Sequence, residues 1–133
     1  HVLEHLSHRD ELKSVLGECC RILTPGCQLK ISVPNLLVLS RLFIAENMTA
    51  QQRYELMLML FGGHDDEFDI HKGGFWEEYL TLHLLNAGFK NSGRVEEFGL
   101  FEDYSSQRLL GEFGLSRSLL FLCNPAVIQF EMC

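Results

Sequence analysis

The sequence predicts an α/β fold with a mixed sheet, arranged as a single domain over residues 1–133. Two observations predict it. Between residues 10 and 34, an amphipathic stretch, a Pro-Gly turn and an alternating apolar segment follow one another, which is the helix–turn–strand order of a βαβ unit. Near the C-terminus, apolar segments at residues 89–98 and 118–123 have no long amphipathic helix between them. They predict an antiparallel strand pair at the end of the sheet.

The first helix is predicted to follow Ser7 or Asp10, because either side chain can cap a helix N-terminus and the pair resembles a capping box. Apolar residues recur at helical spacing as far as Leu23 and form one stripe. Pro25 cannot continue a helix and Gly26 accepts positive φ, so the helix is expected to end in a turn at these residues.

The first strand is predicted at residues 29–33, where Leu29, Ile31 and Val33 alternate with polar residues. The strand that would complete the βαβ unit is expected to lie before His1. Thr49 can cap a later helix, and Gly88 is expected to end another. The remaining elements are predicted helices at residues 36–43, 49–60, 75–87 and 106–110 and predicted strands at residues 89–98, 118–123 and 126–130.

The segment "FGGHDDEFDIHKGGF" interrupts all periodicity and is predicted to be a long functional loop. Its acidic residues lack the spacing of a calcium-binding loop, so a solvated loop is the preferred interpretation. His83 follows apolar residues on one face of the next helix, and we expect it to be packed in the core.

Composition narrows the class of partner. The net charge is −7, so the chain lacks the basic surface that binding to nucleic acid or to an anionic membrane requires. No apolar run approaches the roughly 20 residues that span a bilayer. The five cysteines show no Cys-x-x-Cys spacing, which indicates reduced thiols and predicts a cytoplasmic protein.

Two segments carry a resemblance to a known family. "HVLEHL" followed by an amphipathic helix and "RILTPGCQLKISVPN" resembles the C-terminal half of a class I S-adenosylmethionine-dependent methyltransferase. Arg21, Leu23, Pro25 and Gly26 match its Arg-x-Leu-x-Pro-Gly-Gly pattern, and Cys27 stands where a second Gly is usual. The segment from residue 62 to residue 105 is similar to a small bacterial subgroup of predicted methyltransferases.

The resemblance implies a truncated Rossmann-like methyltransferase fold that lacks the N-terminal cofactor-binding strands, since no Gly-x-Gly turn follows a strand here. It implies S-adenosylmethionine as the cofactor and a small-molecule or carrier-bound metabolite as the substrate. His1, Val2 and Leu3 would border the cofactor. His5 and His71 would face the substrate as catalytic residues, and a neutral imidazole there could accept a proton.

Two alternatives remain open. Some methyltransferases that resemble this chain hold a divalent metal with carboxylates and His, and Glu4, His5 and His71 would be the counterparts here. Because His1 stands where those proteins have a Glu, the main interpretation assigns no metal ligand. The other alternative is a non-catalytic remnant or interaction module without activity of its own. The sequence predicts no oligomeric state.

Overall fold

The computed structural model describes residues 2–95 and the backbone of residues 118–123. A short 3-10 turn, Leu3–His5, precedes the first helix. The helices are α1 Glu11–Ile22, α2 Leu36–Phe43, α3 Ala50–Phe61 and α4 Glu77–Asn86, and the strands are β1 Leu29–Pro34, β2 Gly93–Val95 and β3 Ser118–Cys123. These bounds confirm the predicted helices at 36–43, 49–60 and 75–87 and the predicted strands at 29–33 and 118–123. The strand predicted at residues 89–98 begins only at Gly93. The predictions for His1, for this strand beyond Val95, and for residues 106–110 and 126–130 lie outside the described residues.

Of the helix caps predicted from the sequence, the one for α3 is confirmed and the one for α1 is wrong. Thr49 caps α3 as predicted, and its side chain and that of Gln52 form a reciprocal capping box. The predicted capping box of α1 is wrong, because the side chain of Asp10 makes no capping hydrogen bond. Instead, the peptide N–H of Ser7 donates to the carboxylate of Glu11 at 2.6 Å. This bond ties the start of α1 to the turn before it.

The three described strands form one sheet in the order β1-β3-β2. β3 runs antiparallel to β1, with Leu29 opposite Cys123 and Pro34 opposite Ser118, and antiparallel to β2, with Gly93 opposite Leu122. The last strand therefore lies between the two earlier ones. These described pairs are antiparallel, and the wider mixed sheet of a truncated methyltransferase fold stays a prediction.

The main core lies between the sheet and helices α1 and α4 and is built from the apolar stripes of both helices. Leu3 belongs to it, which anchors the N-terminal turn. Its buried members are Leu3, Leu12, Leu16, Ile31, Val33, Phe75, Leu80, Leu84 and Phe89. A second cluster joins α2 to α3 and consists of Val38, Leu39, Leu42, Met48 and Leu56.

Asn35 and Phe75 connect β1, α2 and the segment before α4. The side chain of Asn35 caps α2 by accepting from the N–H of Val38 at 3.4 Å. The N–H of Leu36 donates to the carbonyl of Phe75 at 2.8 Å, and the two segments form a parallel bridge there. The chain leading into α4 is therefore held beside the end of β1. Among the described helices, none combines the length and the apolar character that crossing a bilayer demands.

Candidate functional site

The N-terminal turn presents Glu4 and His5 on consecutive positions. Leu3 is buried in the core, while the N–H of His5 donates to the carbonyl of Val2 at 3.1 Å and closes the turn. Glu4 is only 1% exposed, and His5 is half-buried. Glutamate side chains are seldom buried to this degree, so Glu4 distinguishes this turn from the exposed acidic loop.

His71 reaches the same place through the loop after α3. Gly62 ends α3 with φ +88°, a left-handed conformation that glycine adopts without strain. The loop then closes on itself, since the N–H of His64 donates to the carbonyl of Asp69 at 3.1 Å. The N–H of His71 donates to the carbonyl of Phe61 at 3.0 Å. His71 therefore returns to the C-terminal end of α3.

Glu4, His5 and His71 form one cluster. Each offers one potential ligand atom, and these atoms all lie within 4.8 Å of one another. The rings of His5 and His71 meet edge to face, with centroids 4.7 Å apart and an interplanar angle of 86°. Two imidazole nitrogens and a carboxylate at this separation are a donor set that divalent transition metals accept. We call these three residues the Glu4–His5–His71 cluster.

Hydrogen bonds determine which nitrogen of His71 is available. Nδ1 of His71 lies 3.1 Å from the carbonyl oxygen of Met59, and since a carbonyl only accepts, Nδ1 carries the proton. Nε2 is then the nitrogen with a free lone pair in the neutral ring. A backbone carbonyl that orients a histidine in this way is the usual support of a metal ligand or of a general base.

His5 contributes a buried nitrogen to the cluster. Its Nδ1 is shielded from solvent and has no hydrogen-bond partner within the described part of the chain. A buried polar atom of this kind costs free energy unless a ligand or a water satisfies it. A ligand or a water bound at Nδ1 of His5 would remove this cost.

The segment after His71 is attached to the N-terminal turn. The N–H groups of Lys72 and Gly73 both donate to the carbonyl of Glu4, at 2.7 and 3.3 Å. The ammonium of Lys72 also lies 3.2 Å from the carboxylate of Glu11. This contact, together with the N–H of Ser7, lowers the pKa of Glu11; the bond from Ser7 is the larger cause. These contacts keep His71 beside Glu4.

A second group of polar aromatic side chains surrounds His8. Nδ1 of His8 lies 2.8 Å from the hydroxyl of Tyr79, and Nε2 is buried with no partner among the described residues. Burial lowers the pKa of His8, and the neighbouring His83 lowers it further. Burial also lowers the pKa of His83, which meets the ring of Tyr79 edge to face. His83 is half-buried against Tyr79 and is not among the buried residues, so the prediction that it is packed in the core is wrong.

The structure places the predicted site residues in different surroundings. His5 and His71 are brought together, as their shared assignment to the substrate side requires. Of the predicted cofactor-contacting residues, Val2 is 64% exposed, Leu3 packs in the core, and His1 lies outside the described residues. The acidic loop residues are largely exposed, as predicted.

Sequence reasoning missed His8. No spacing or motif singles it out, because its partners Phe75 and Tyr79 are distant in sequence and reach it only through the packing of α4. An open groove of about 560 Å³, lined by Gln28 and residues 90–95, shares no residue with the Glu4–His5–His71 cluster.

Comparison of the chain with family models, with curated proteins and with solved structures found no significant match.

Proposed function

We propose that this chain is the substrate-side part of an S-adenosylmethionine-dependent methyltransferase in which a divalent cation on the Glu4–His5–His71 cluster binds a small-molecule acceptor. The observation that carries the proposal is the convergence of three ligand atoms from two distant segments within 4.8 Å. The sequence resemblance to class I methyltransferases supports S-adenosylmethionine as the methyl donor. The geometry of the cluster supports the cation.

The residues of the cluster fit a transition-metal cation. Two imidazoles and one carboxylate suit Zn²⁺, Fe²⁺, Co²⁺ or Ni²⁺ better than Mg²⁺ or Ca²⁺, which prefer all-oxygen sites. Nδ1 of His5 is buried without a protein partner in the described residues, and His71 is already oriented by the carbonyl of Met59. Glu4 adds a nearly fully buried carboxylate to the two imidazoles of the cluster.

A divalent cation held by Glu4, His5 and His71 would supply Lewis-acid chemistry, lowering the pKa of an acceptor hydroxyl. With three ligands from the protein, such a cation would leave room for oxygen atoms of the acceptor. Methyl transfer from a sulfonium mainly requires that the nucleophile be held in line and deprotonated. The role of the chain is therefore to orient the acceptor, with exposed Val2 bordering the cofactor side.

Other observations agree with this assignment. The net charge of −7 disfavours a nucleic-acid acceptor. Cys19, Cys20 and Cys27 are free thiols, which supports assignment to the reducing cytoplasm.

The cation is tested by titrating the purified chain with Co²⁺ and Zn²⁺, using calorimetry and Co²⁺ absorption. We expect one bound equivalent in the wild type and a loss of at least 100-fold in affinity in Glu4→Gln and His71→Ala. His64→Ala is the matched control, because His64 is a histidine of the same loop, is exposed, and lies outside the cluster. Equal affinity in His71→Ala and His64→Ala contradicts the site.

The methyl transfer is tested on the chain, extended by any in-frame coding sequence that sequencing of the gene shows upstream of His1. Labelled S-adenosylmethionine is supplied with a metabolite extract, with and without a chelator. Chelator-sensitive labelling of a small molecule is expected. Labelling that survives both the chelator and Glu4→Gln leaves a metal-free enzyme, in which Nε2 of His71 is the base. Absence of labelling in a cation-loaded protein supports the non-catalytic remnant.

A further inference from the structure

We propose that His8, held by Tyr79 of α4, is a positioning residue that sets the location of His71 relative to Glu4 in the cluster. The inference rests on the proposed cation site and adds a coupling between that site and α4. It is carried by the contacts of the half-buried His8 ring with the segment that follows His71.

The ring of His8 has a defined place in the fold. It stacks on Phe75 with a centroid distance of 5.0 Å and on Tyr79 with a centroid distance of 5.4 Å. The hydrogen bond between Nδ1 and the hydroxyl of Tyr79, at 2.8 Å, fixes the orientation of the ring about its Cβ–Cγ bond. Both partners lie on or next to α4, so these contacts attach the ring to that helix.

The opposite edge of the ring faces Gly73. A methyl group added to Gly73 would overlap Nε2 and both adjacent carbons of the His8 ring. Gly73 has no left-handed φ, so its small size is required by the approach of His8 rather than by the backbone conformation. The segment after His71 therefore packs directly against the ring of His8.

That segment connects His8 to the ligands. Gly73 and Lys72 donate their N–H groups to the carbonyl of Glu4, and the next residue toward the N-terminus is His71. A shift of Gly73 toward the space of a missing ring changes these bonds and moves His71 relative to Glu4. Groups that orient metal ligands without touching the metal typically change metal affinity by 10–100-fold.

The chemistry of the ring agrees with this role. Burial lowers the pKa of His8, so the ring is neutral near pH 7 and adds no positive charge beside the cation site. The titratable groups that the described residues bring against the ring are Tyr79 and His83, both on α4.

The test measures Co²⁺ affinity and the Co²⁺ absorption spectrum of the purified chain. Tyr79→Phe keeps the aromatic ring and removes only the hydroxyl, and we expect binding to weaken about 3–10-fold with an altered spectrum. For His8→Ala we expect a loss of about 10–100-fold. Leu82→Ala, on the exposed side of α4, is the control and should bind as the wild type does. Circular dichroism confirms that each variant is folded.

A double-substitution cycle separates positioning from general destabilisation. Gly73→Ala should weaken Co²⁺ binding at least 10-fold in the wild type, because the new methyl collides with the ring. In the His8→Ala background the same methyl has room, and we expect less than a 2-fold further loss. An equal cost in both backgrounds, or unchanged affinity and spectrum in folded Tyr79→Phe and His8→Ala, overturns the inference while leaving the cation site intact. Failure of the wild type to bind Co²⁺ overturns both proposals.

Discussion

Arg53 holds the connection between α2 and α3, and its replacement by Met is expected to destabilise the protein. The guanidinium donates to three backbone carbonyls, those of Phe43 at 3.0 Å, Met48 at 2.6 Å and Ala45 at 2.8 Å. These carbonyls end α2 or lie in the turn after it, where a helix leaves its last acceptors without partners. Met keeps most of the aliphatic stem and removes the donors.

The magnitude follows from the three bonds. Each contributes on the order of 1 kcal/mol net, and the two with Met48 and Ala45 are partly buried. We therefore expect the free energy of unfolding to fall by about 2–3 kcal/mol, which corresponds to roughly 10 °C in melting temperature for a chain of this size. Arg53→Lys should recover about a third of the loss, since an ammonium cannot reach all three acceptors.

The assay is urea unfolding followed by circular dichroism, with Arg41→Met as the matched control. Arg41 is an exposed arginine on α2, and its substitution should change the free energy of unfolding by less than about 0.5 kcal/mol. A midpoint for Arg53→Met within error of that for Arg41→Met would refute the reasoning. It would mean that water replaces the guanidinium at these carbonyls without cost.

Three further predictions concern burial, backbone and pH. Phe75→Ala should lower the free energy of unfolding by about 3–5 kcal/mol in urea melts, because Phe75 is fully buried; Phe68→Ala, at a side chain that is 76% exposed, should have almost no effect. Gly62→Ala should lower the free energy of unfolding by about 2 kcal/mol or more, because Gly62 has φ +88° and an added methyl would strike the carbonyl of Asp69. Gly17→Ala, in open space within α1, should raise the free energy of unfolding by about 0.5–1 kcal/mol. A higher melting temperature for Gly62→Ala than for Gly17→Ala would contradict both expectations. The lowered pKa values of His8 and His83 mean that the unfolded chain binds protons first as pH falls through the ordinary histidine value of 6.5. The urea midpoint should therefore decrease from pH 7.5 to pH 5.5, and less so in His8→Gln; an equal decrease in both proteins would remove His8 as a cause.

The helices were largely predictable because the signals that define them are local. Thr49 and Gln52 cap α3 from within four residues, and the apolar stripe of α1 identifies its buried face. Local signals also misled, since Ser7 and Asp10 have the chemistry of a capping box, yet Glu11 provides the contact that the structure uses. Several short side chains near a helix start can compete for the same N–H groups, and only packing decides among them.

The candidate site was predictable in its members but not in its geometry. The resemblance pointed to His5 and His71, yet their closeness depends on the turn at Gly62 and on the return of the loop to the end of α3. The orientation of the His71 ring depends on the carbonyl of Met59, whose availability comes from the end of a helix. Neither feature has a pattern in the sequence.

The sequence by itself determined where most helices and two of the described strands lie, the net charge of −7, and which histidines are candidate site residues. Those properties depend on periodicity, capping and composition, which act between neighbouring residues or over the chain as a whole. The tertiary structure alone decided that β3 lies between β1 and β2, that Glu4 is buried beside His5 and His71, and that His8 lies beneath Gly73. Such contacts join residues far apart in the chain, and their free energy exists only after the core has brought the segments together.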